Sequence, residues 1–157
     1  MPTWSFTLNG EPRQITAAGD TPLLYGLRDQ AGINSPRYGC GQEQCGACRV
    51  IVDGELAWAC TRTVESVDGT SVVTVEGLAR DDDLHVLQES FMANNAAQCG
   101  YCLSGILMAA SRLLEENPSP DRANIQRALD DHLCRCGAHN RIIRAIEQAA
   151  EARRRDT

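Results

Sequence analysis

Apolar and polar positions follow a strand-like period of two in the first half of the chain. The predicted strands are Trp4–Leu8, Pro12–Ala17, Arg49–Val52, Leu56–Thr61 and Ser71–Val75. Asn9-Gly10 and Asp53-Gly54 are strong two-residue turn signals, so the first four strands are expected to form two hairpins. One short helix is predicted between the hairpins, with Asp20 or Thr21 as its cap, Pro22 at its first position and its end at Gly32.

After the polar boundary segment Glu76–Asp83 the period becomes about 3.6, which indicates helices. Apolar stripes predict four of them. The first carries Leu84, Leu87, Phe91 and Met92 on one side, the second runs from Leu103 to Leu114, the third from an N-cap at Ser119 to His132, and the fourth covers Ile142–Ala150. The pattern therefore predicts an α+β protein with two domains, residues 1–78 and residues 79–157.

Four cysteines of the first half have the spacing of a plant-type [2Fe-2S] ligand set. Cys40, Cys45 and Cys48 form a C-x4-C-x2-C pattern, and Cys60 is the available fourth ligand. Glycines between the thiols permit the turns that direct backbone N–H groups at the sulfurs. Together with the five strands and one helix, this loop predicts a ferredoxin-like β-grasp domain.

The four cysteines of the second half form two close pairs at predicted helix ends. Cys99 and Cys102 open the second predicted helix, and Cys134 and Cys136 join the third to the fourth. A two-iron cluster accepts two ligands per iron, which matches two close pairs. Zinc is the competing metal, although its usual pairs have two to four residues between the thiols and Cys134 and Cys136 have a single residue between them. We expect a four-helix [2Fe-2S]-binding domain, with structural zinc as the alternative.

Composition narrows the classes further. A formal net charge of −6, made more negative by thiolate clusters, argues against a nucleic-acid partner. The N-terminus has no signal-peptide pattern, and no apolar stretch reaches the length of a membrane span. The expected location is the cytoplasm, with export only if a partner carries the chain. In a reducing compartment, eight cysteines in two groups indicate metal rather than disulfides.

Two longer signatures carry a family resemblance. They are Tyr38-Gly39-Cys40-Gly41 with Cys45-Gly46-Ala47-Cys48, and Gln98-Cys99-Gly100-Tyr101-Cys102 with Leu133-Cys134-Arg135-Cys136-Gly137. Over nearly its whole length the chain resembles the small iron–sulfur subunit of the molybdenum hydroxylases, the xanthine dehydrogenase and aldehyde oxidase family. It is most similar to the free-standing bacterial form, as in nicotinate dehydrogenase and isoquinoline 1-oxidoreductase.

The resemblance implies a role for each of these residues. The ligands of the solvent-side cluster would be Cys40, Cys45, Cys48 and Cys60, and those of the cluster nearer molybdenum would be Cys99, Cys102, Cys134 and Cys136. Gln98 would hydrogen-bond the pterin of a molybdopterin, in its cytosine dinucleotide form, held by a larger subunit. Cys136 would also lie beside that pterin.

The resemblance further implies electron transfer. In the family, an N-heterocycle or aldehyde is hydroxylated at molybdenum, and electrons leave through two clusters to a flavin or another acceptor. The chain would be the electron-transfer subunit of an oxidoreductase, with no substrate site of its own. One expected partner is a large molybdopterin-binding subunit. The other is an FAD subunit or a cytochrome. The alternatives are an independent ferredoxin-like electron carrier and a structural zinc protein.

Two further sets of polar residues bear on the sites. His85, His132 and His139 are interpreted as helix-end or surface histidines, because eight cysteines already account for two clusters. Arg135, between two predicted ligands, either tunes the potential of its cluster or serves packing or a partner.

Overall fold

The computed structural model describes residues 1–81 and 83–155 and has mixed α and β content, which confirms the predicted fold class. The strands are β1 (Thr3–Leu8), β2 (Glu11–Thr16), β3 (Arg49–Val52), β4 (Glu55–Trp58) and β5 (Ser71–Val73). The helices are α1 (Leu23–Asp29), α2 (Val86–Ala93), α3 (Leu103–Glu116), α4 (Arg122–Ala128) and α5 (His139–Arg155). Two short 3₁₀ turns cover Glu65–Val67 and Val75–Gly77. Asp82, within the predicted boundary segment, lies outside the described residues.

The strands form one mixed sheet in the order β2-β1-β5-β3-β4. β1 pairs antiparallel with β2 and parallel with β5, and β3 pairs antiparallel with β4 and β5. Asn9 and Asp53 adopt φ values of 52° and 48°, each followed by a glycine with positive φ. This is the backbone that a two-residue hairpin turn requires, so both predicted hairpins are confirmed.

Buried apolar side chains form two clusters, one in each half of the chain. In the first, Leu23, Leu24 and Leu27 of α1 pack against the sheet. In the second, the four helices α2 to α5 surround a core that includes Ile106 and Ile142. Each half therefore excludes water from its own core, which supplies much of the free energy of folding.

The two halves also touch directly. Gly105 of α3 lies so close to the loop before β3 that a Cβ there would come within 1.8 Å of the Gly46 carbonyl oxygen. An ion pair of 2.9 Å joins Arg112 of α3 to Glu55 of β4. The loop that carries the first cysteines is thus packed on the helix that begins at the second group.

The structure corrects the position of Cys60. The sequence predicts a returning strand that reaches Thr61, but β4 ends at Trp58, and Cys60 lies in the turn that follows. The ladder ends there because Trp58 pairs with Arg49, the first residue of β3. Similarly, β5 ends at Val73, where the chain turns into a 3₁₀ segment.

The helices occur where the sequence predicts them, but several of their first residues differ from the predicted ones. The N-cap of α1 is Pro22, with no capping side chain, and α1 ends before Gly32. α2 starts after His85, whose side chain accepts a hydrogen bond from the Leu87 N–H. The N-cap of α4 is Asp121 rather than Ser119, because Asp121 and Asn124 form a reciprocal capping pair.

The apolar stripe predicted for the first helix of the second half is partly wrong. Leu87 and Phe91 are buried, but Leu84 lies outside α2 and is 45% exposed, and Met92 is 68% exposed. α4 ends at Ala128, so His132 is not at its end. In both places, packing against other parts of the molecule, and not the periodicity of the sequence, decides which residues are helical and which side chains are buried.

Candidate metal centres

The first group of cysteines lies in the loop between α1 and β3. Within it the backbone N–H groups of Gln42 and Gln44 donate hydrogen bonds of 3.4 and 3.2 Å to the Cys40 sulfur. The N–H of Cys40 donates a 3.4 Å hydrogen bond to the Cys45 sulfur. A loop that aims several N–H groups at sulfur is suited to hold thiolates, because the donors stabilise negative charge.

Cys60 reaches this loop through the backbone around it. The N–H of Ala59 donates to the Cys48 carbonyl at 3.3 Å, which sets the segment with Cys60 against Cys48. The carbonyl of Ala59 in turn accepts a 2.8 Å hydrogen bond from the N–H of Leu24. The free N–H groups at the start of α1 therefore hold the segment that carries the fourth cysteine, in place of a side-chain cap.

The second group is assembled from two segments far apart in sequence. Cys102 is the N-cap of α3, and Cys99 precedes it. Cys134 and Cys136 lie in the connection between α4 and α5. The N–H of Tyr101 donates to the Cys99 sulfur at 3.5 Å and the N–H of Ala138 to the Cys134 sulfur at 3.4 Å. Sulfurs in this site also accept backbone hydrogen bonds.

In both sites the thiols meet in pairs. The contacting pairs are Cys40 with Cys45, Cys48 with Cys60, Cys99 with Cys136, and Cys102 with Cys134. The two pairs of each site are neighbours, since Cys48 also interacts electrostatically with Cys45, and Cys102 with Cys99. The eight predicted ligands thus lie in two groups, four cysteines of the first half and four of the second.

Burial divides the thiols of each site into two kinds. Burial raises the pKa of Cys48 to about 12 and that of Cys102 to about 12. For Cys40, burial acts in the same direction, but the N–H donors of Gln42 and Gln44 outweigh it and lower the pKa to about 7. A hydrogen bond from the Tyr101 N–H similarly lowers the pKa of Cys99, which is exposed. Each site therefore combines a thiol whose pKa is lowered by backbone N–H groups with one whose pKa is raised by burial.

This donor set fits a [2Fe-2S] cluster. Such a cluster takes four thiolates, two on each iron, and its sulfurs are stabilised by N–H donors. Two contacting pairs per site, with N–H groups directed at their sulfurs, meet both requirements. Within residues 1–81 and 83–155, no three cysteine, histidine or carboxylate groups converge on the position of a single metal ion.

Gln98, the predicted pterin contact, lies next to the second site. It is exposed and lines a small cavity together with Cys99, Cys102 and Cys136. Cys136 and Cys99 are the exposed cysteines of the chain, whereas Cys48 and Cys60 are buried. The second site therefore opens to the surface beside Gln98.

Residues outside the two sets of predicted ligands connect the two sites. The N–H of Leu133 donates a 3.0 Å hydrogen bond to the Cys45 carbonyl, which links the two cysteine segments through the backbone. The interpretation of His132 as a surface or helix-end residue is wrong: it is 3% exposed, and its ring packs on Gly46. Arg49, directly after Cys48, forms an ion pair with Asp131.

The other residues considered from the sequence are nearer the surface. His85 caps α2 and His139 is the first residue of α5, as predicted for helix-end histidines. Arg135 is exposed. Arg49, and not Arg135, is therefore the largely buried arginine close to a cysteine. The only sequence signal for this was its position directly after a predicted ligand.

Family models of [2Fe-2S]-binding domains match both halves of the chain. A family model described as a 2Fe-2S iron-sulfur cluster binding domain matches residues 6–72, and one described as a [2Fe-2S] binding domain matches residues 74–147. The chain is 44% identical to one of the subunits of nicotinate dehydrogenase from Pseudomonas putida, covering 98% of both chains.

Solved structures give the same result. Quinoline 2-oxidoreductase from Pseudomonas putida matches with a TM-score of 0.93 and 37% identity, over 98% of this chain and 96% of the matched one. Aldehyde oxidoreductase from Desulfovibrio desulfuricans matches with a TM-score of 0.93 and 36% identity, but there the match spans 17% of the longer chain. The same fold thus occurs both as a separate small chain and as part of a larger one.

These matches define an iron–sulfur protein with two [2Fe-2S] clusters, one for each half. With such identity over nearly the full length of the nicotinate dehydrogenase and quinoline 2-oxidoreductase chains, this chain belongs to the small [2Fe-2S] subunits of the molybdenum hydroxylases. It is an electron-transfer subunit of an oxidoreductase, and zinc binding or independent action as a ferredoxin is not favoured. Among the described helices, none is long and apolar enough to cross a membrane.

Proposed function

We propose that this chain holds its two [2Fe-2S] clusters with four cysteines each and conducts electrons out of a molybdenum centre in a larger subunit. The first set is Cys40, Cys45, Cys48 and Cys60, and the second is Cys99, Cys102, Cys134 and Cys136. The observation that carries the proposal is the arrangement of the eight thiols as two neighbouring pairs per site, with N–H donors at their sulfurs. When bound, [2Fe-2S] clusters accept and release electrons one at a time.

The protein's own residues position the sites and exclude water. The hydrogen bond from Leu133 to Cys45 and the close packing of Gly105 on Gly46 fix one cysteine segment against the other. Burial of Cys48 and Cys60 in the first core keeps water from one side of the first site. A fixed and partly dry connection favours electron transfer over loss of the electron to solvent.

The second site faces the large subunit in this proposal. Cys99 and Cys136 are exposed, which leaves an edge that a partner would cover. Gln98 would then donate and accept hydrogen bonds at the pterin of a molybdopterin held by that subunit, and Cys136 would lie beside it. An amide side chain suits the edge of a pterin, because it offers donors and an acceptor together.

An apolar groove extends this edge along α2. It has a volume of about 500 Å³, is lined by Leu84, Phe91 and Met92, and shares Ala97 and Leu103 with the cavity at the second site. Because the groove is continuous with the site that needs a cover, the same large subunit is the occupant that fits it. Exposed methionine and leucine are suited to packing against a partner.

The finer assignments rest on the relatives. Proteins named for nicotinate, quinoline and aldehyde oxidation support an N-heterocycle or an aldehyde as the substrate of the complex. We assign the molybdopterin its cytosine dinucleotide form, an FAD subunit or a cytochrome as the acceptor, and the cytoplasm as the location. The division into domains 1–78 and 79–157 is supported by the separate buried clusters.

The test is to isolate the chain with an affinity tag from its native host under anaerobic conditions. We expect about four iron and about four sulfide per chain, two electron paramagnetic resonance signals after reduction, and a much larger molybdenum-containing chain in the same fraction. Zinc without sulfide rejects iron–sulfur function. A red-brown protein isolated alone in good yield rejects the subunit role and supports a free carrier.

The docking edge is tested in the same experiment. Met92→Asp should abolish recovery of the large chain while both resonance signals persist, because a carboxylate would be buried without a partner. Ala93→Asp is the matched control, since Ala93 is exposed beside Gln148 and Glu151, away from the groove. Equal recovery with both variants would place the large subunit elsewhere.

A further inference from the structure

A largely buried arginine lies beside the first metal centre and pairs with Asp131, in the segment that leads to the second. The side chain of Arg49 is 10% exposed, and its guanidinium carbon lies 3.4 Å from the centre of the Trp58 ring. Its Nε is buried and has no hydrogen-bond partner among the described residues. A guanidinium stacked on an indole and largely removed from water keeps its charge but loses most of the solvent that would screen it.

The charges around Arg49 compensate it incompletely. Asp131 is the carboxylate that pairs with it, at 3.6 Å, and that side chain is 67% exposed. Burial lowers the pKa of Arg49, while Asp131, Cys48 and Glu43 act in the opposite direction and favour the charged form. A solvent-screened carboxylate at this distance neutralises a buried cation only in part.

Arg49 is next to a predicted ligand, so its charge can act on the first centre. It directly follows Cys48, a predicted ligand of the first centre, and interacts electrostatically with it. Reduction adds one electron to a centre whose four thiolates already make it negative. A nearby buried cation therefore stabilises the reduced state more than the oxidised one, and the low-dielectric surroundings strengthen that effect.

We propose that Arg49 is a tuning residue that raises the reduction potential of the first centre, and that Asp131 limits the rise. The inference rests on the proposed function only in requiring a [2Fe-2S] cluster at Cys40, Cys45, Cys48 and Cys60. Raising this potential makes the first centre the better electron acceptor, which favours transfer toward it from the second. Arg135, beside the second-site cysteines but exposed, is not suited to act in this way.

The test uses two substitutions with opposite expected signs. Arg49→Gln should lower the midpoint potential of the first centre by about 30 mV. This corresponds to an about threefold decrease in the equilibrium constant for its one-electron reduction. Asp131→Asn removes the compensating charge and should raise the same potential, by less, because that carboxylate is exposed. Potentials are read from resonance-monitored titrations of the holo complex with dithionite, and the second centre is the internal reference.

Two more variants separate charge from packing. Arg49→Lys keeps the charge and should leave the potential near the wild-type value, while the loss of the planar stack on Trp58 lowers the melting temperature. Arg112→Gln is the matched control. Arg112 also joins the two halves and also has a buried Nε without a partner among the described residues, but it pairs with Glu55 away from the cysteines. We expect it to lower stability without shifting either potential.

The outcomes distinguish this inference from the proposed function. If the wild-type chain gives no [2Fe-2S] signals, the proposed function fails. If both signals are present but Arg49→Gln and Asp131→Asn shift the first potential in the same direction, or not at all, Arg49 is structural only. Should Arg49→Gln not fold, a potential unchanged in Asp131→Asn would overturn the inference.

Discussion

The two metal centres of this protein are built in different ways. The first uses a nine-residue loop, Cys40–Cys48, whose own backbone N–H groups point at its sulfurs, and it takes one cysteine from outside. The second takes two cysteines from the start of α3 and two from the connection between α4 and α5, so it exists only when the helices are packed. One centre is local in sequence, and the other is a product of tertiary structure.

The centres also differ in their exposure. Cys48 and Cys60 belong to the core of the first half, whereas Cys99 and Cys136 are at the surface. A buried ligand couples metal binding to folding of its half, because losing the metal leaves a thiol pair in the core. An exposed ligand pair leaves the fold less dependent on metal and leaves the site accessible to a partner.

The largest effect should come from removing one ligand at each centre. Cys136→Ala should reduce iron from about four to about two per chain and abolish one resonance signal, while the melting temperature of the first half stays unchanged. Cys48→Ala should abolish the other signal and also lower stability, because Cys48 is 1% exposed within a packed core. Iron analysis and calorimetry check both. Loss of both signals in Cys136→Ala would mean that the centres do not form independently.

The packing that joins the centres gives the next largest effect. Gly105→Ala places a Cβ within 1.8 Å of the Gly46 carbonyl oxygen, so either α3 or the cysteine loop must move. We expect a loss of about 1–3 kcal/mol in the free energy of unfolding, measured with urea. Helix propensity alone would give a gain of about 1 kcal/mol, so the sign of the result decides between the two effects.

Ser104→Ala is the control for that experiment. Ser104 is the neighbouring residue of α3, is buried, and has a hydroxyl without a partner among the described residues. Its replacement introduces the same alanine without a clash and should be neutral or slightly stabilising. If Gly105→Ala is also neutral or slightly stabilising, α3 does not pack tightly enough on the loop to fix the position of one centre relative to the other.

The difference between the centres also explains how far the sequence could be interpreted. The spacing of Cys40, Cys45 and Cys48 specifies a local loop, and Asn9-Gly10 specifies a local turn, so both were predictable from neighbouring residues. The pairing of Cys102 with Cys134 depends on the packing of α3 against α4 and α5, and the sequence suggested it only through the close spacing within each pair. Long-range partners leave weaker traces in a single sequence than local ones.

The incorrect predictions have the same origin. Cys60 was placed on a strand because Leu56–Thr61 has strand-like residues, but the end of β4 is set by its partner β3. His132 was interpreted as a helix-end or surface residue because eight cysteines already account for two clusters, yet it is enclosed where the two halves meet. Met92 fits a helical stripe but faces out and lines a groove that the described residues leave open. A local sequence pattern does not show which side chains a distant part of the molecule will bury.

A smaller effect is expected near the end of the first half. Glu76 accepts hydrogen bonds from the Ser35 N–H at 3.1 Å and from the hydroxyls of Ser35 and Thr74, which tie the segment before the cysteine loop to the chain after β5. Although burial opposes ionisation, these donors lower the pKa of Glu76 below its ordinary 4.5. The stabilisation is present above that ordinary value and is lost as the pH falls through the lowered one.

Glu76→Gln should therefore cost about 1 kcal/mol at pH 7, a figure reduced for screening because the carboxylate is partly exposed. At about pH 3, below the ordinary pKa of 4.5, the variant and the wild type should differ less, since the carboxylate of the unfolded chain is then protonated and the advantage of the charged form in the fold is being lost. Urea unfolding at the two values measures this. Glu11→Gln, at the exposed start of β2, controls for the loss of one negative charge. A cost that is the same at both values would assign the effect to shape rather than charge.

The smallest effect tests a single hydrogen bond between the two cysteine segments. The hydroxyl of Tyr101 donates to the carbonyl of Tyr38, and the guanidinium of Arg37 lies 5.3 Å from the centre of the Tyr101 ring. Tyr101→Phe keeps the ring and its cation contact but removes the donor. Because the bond is exposed, we expect a loss of about 0.5 kcal/mol in the free energy of unfolding and no change in either resonance signal. Tyr25→Phe, on the ring stacked against Tyr38, is the matched control. If both variants lose the same amount, the hydroxyl bond does not join the centres, and the backbone link from Leu133 to Cys45 and the glycine contact must hold them together without it.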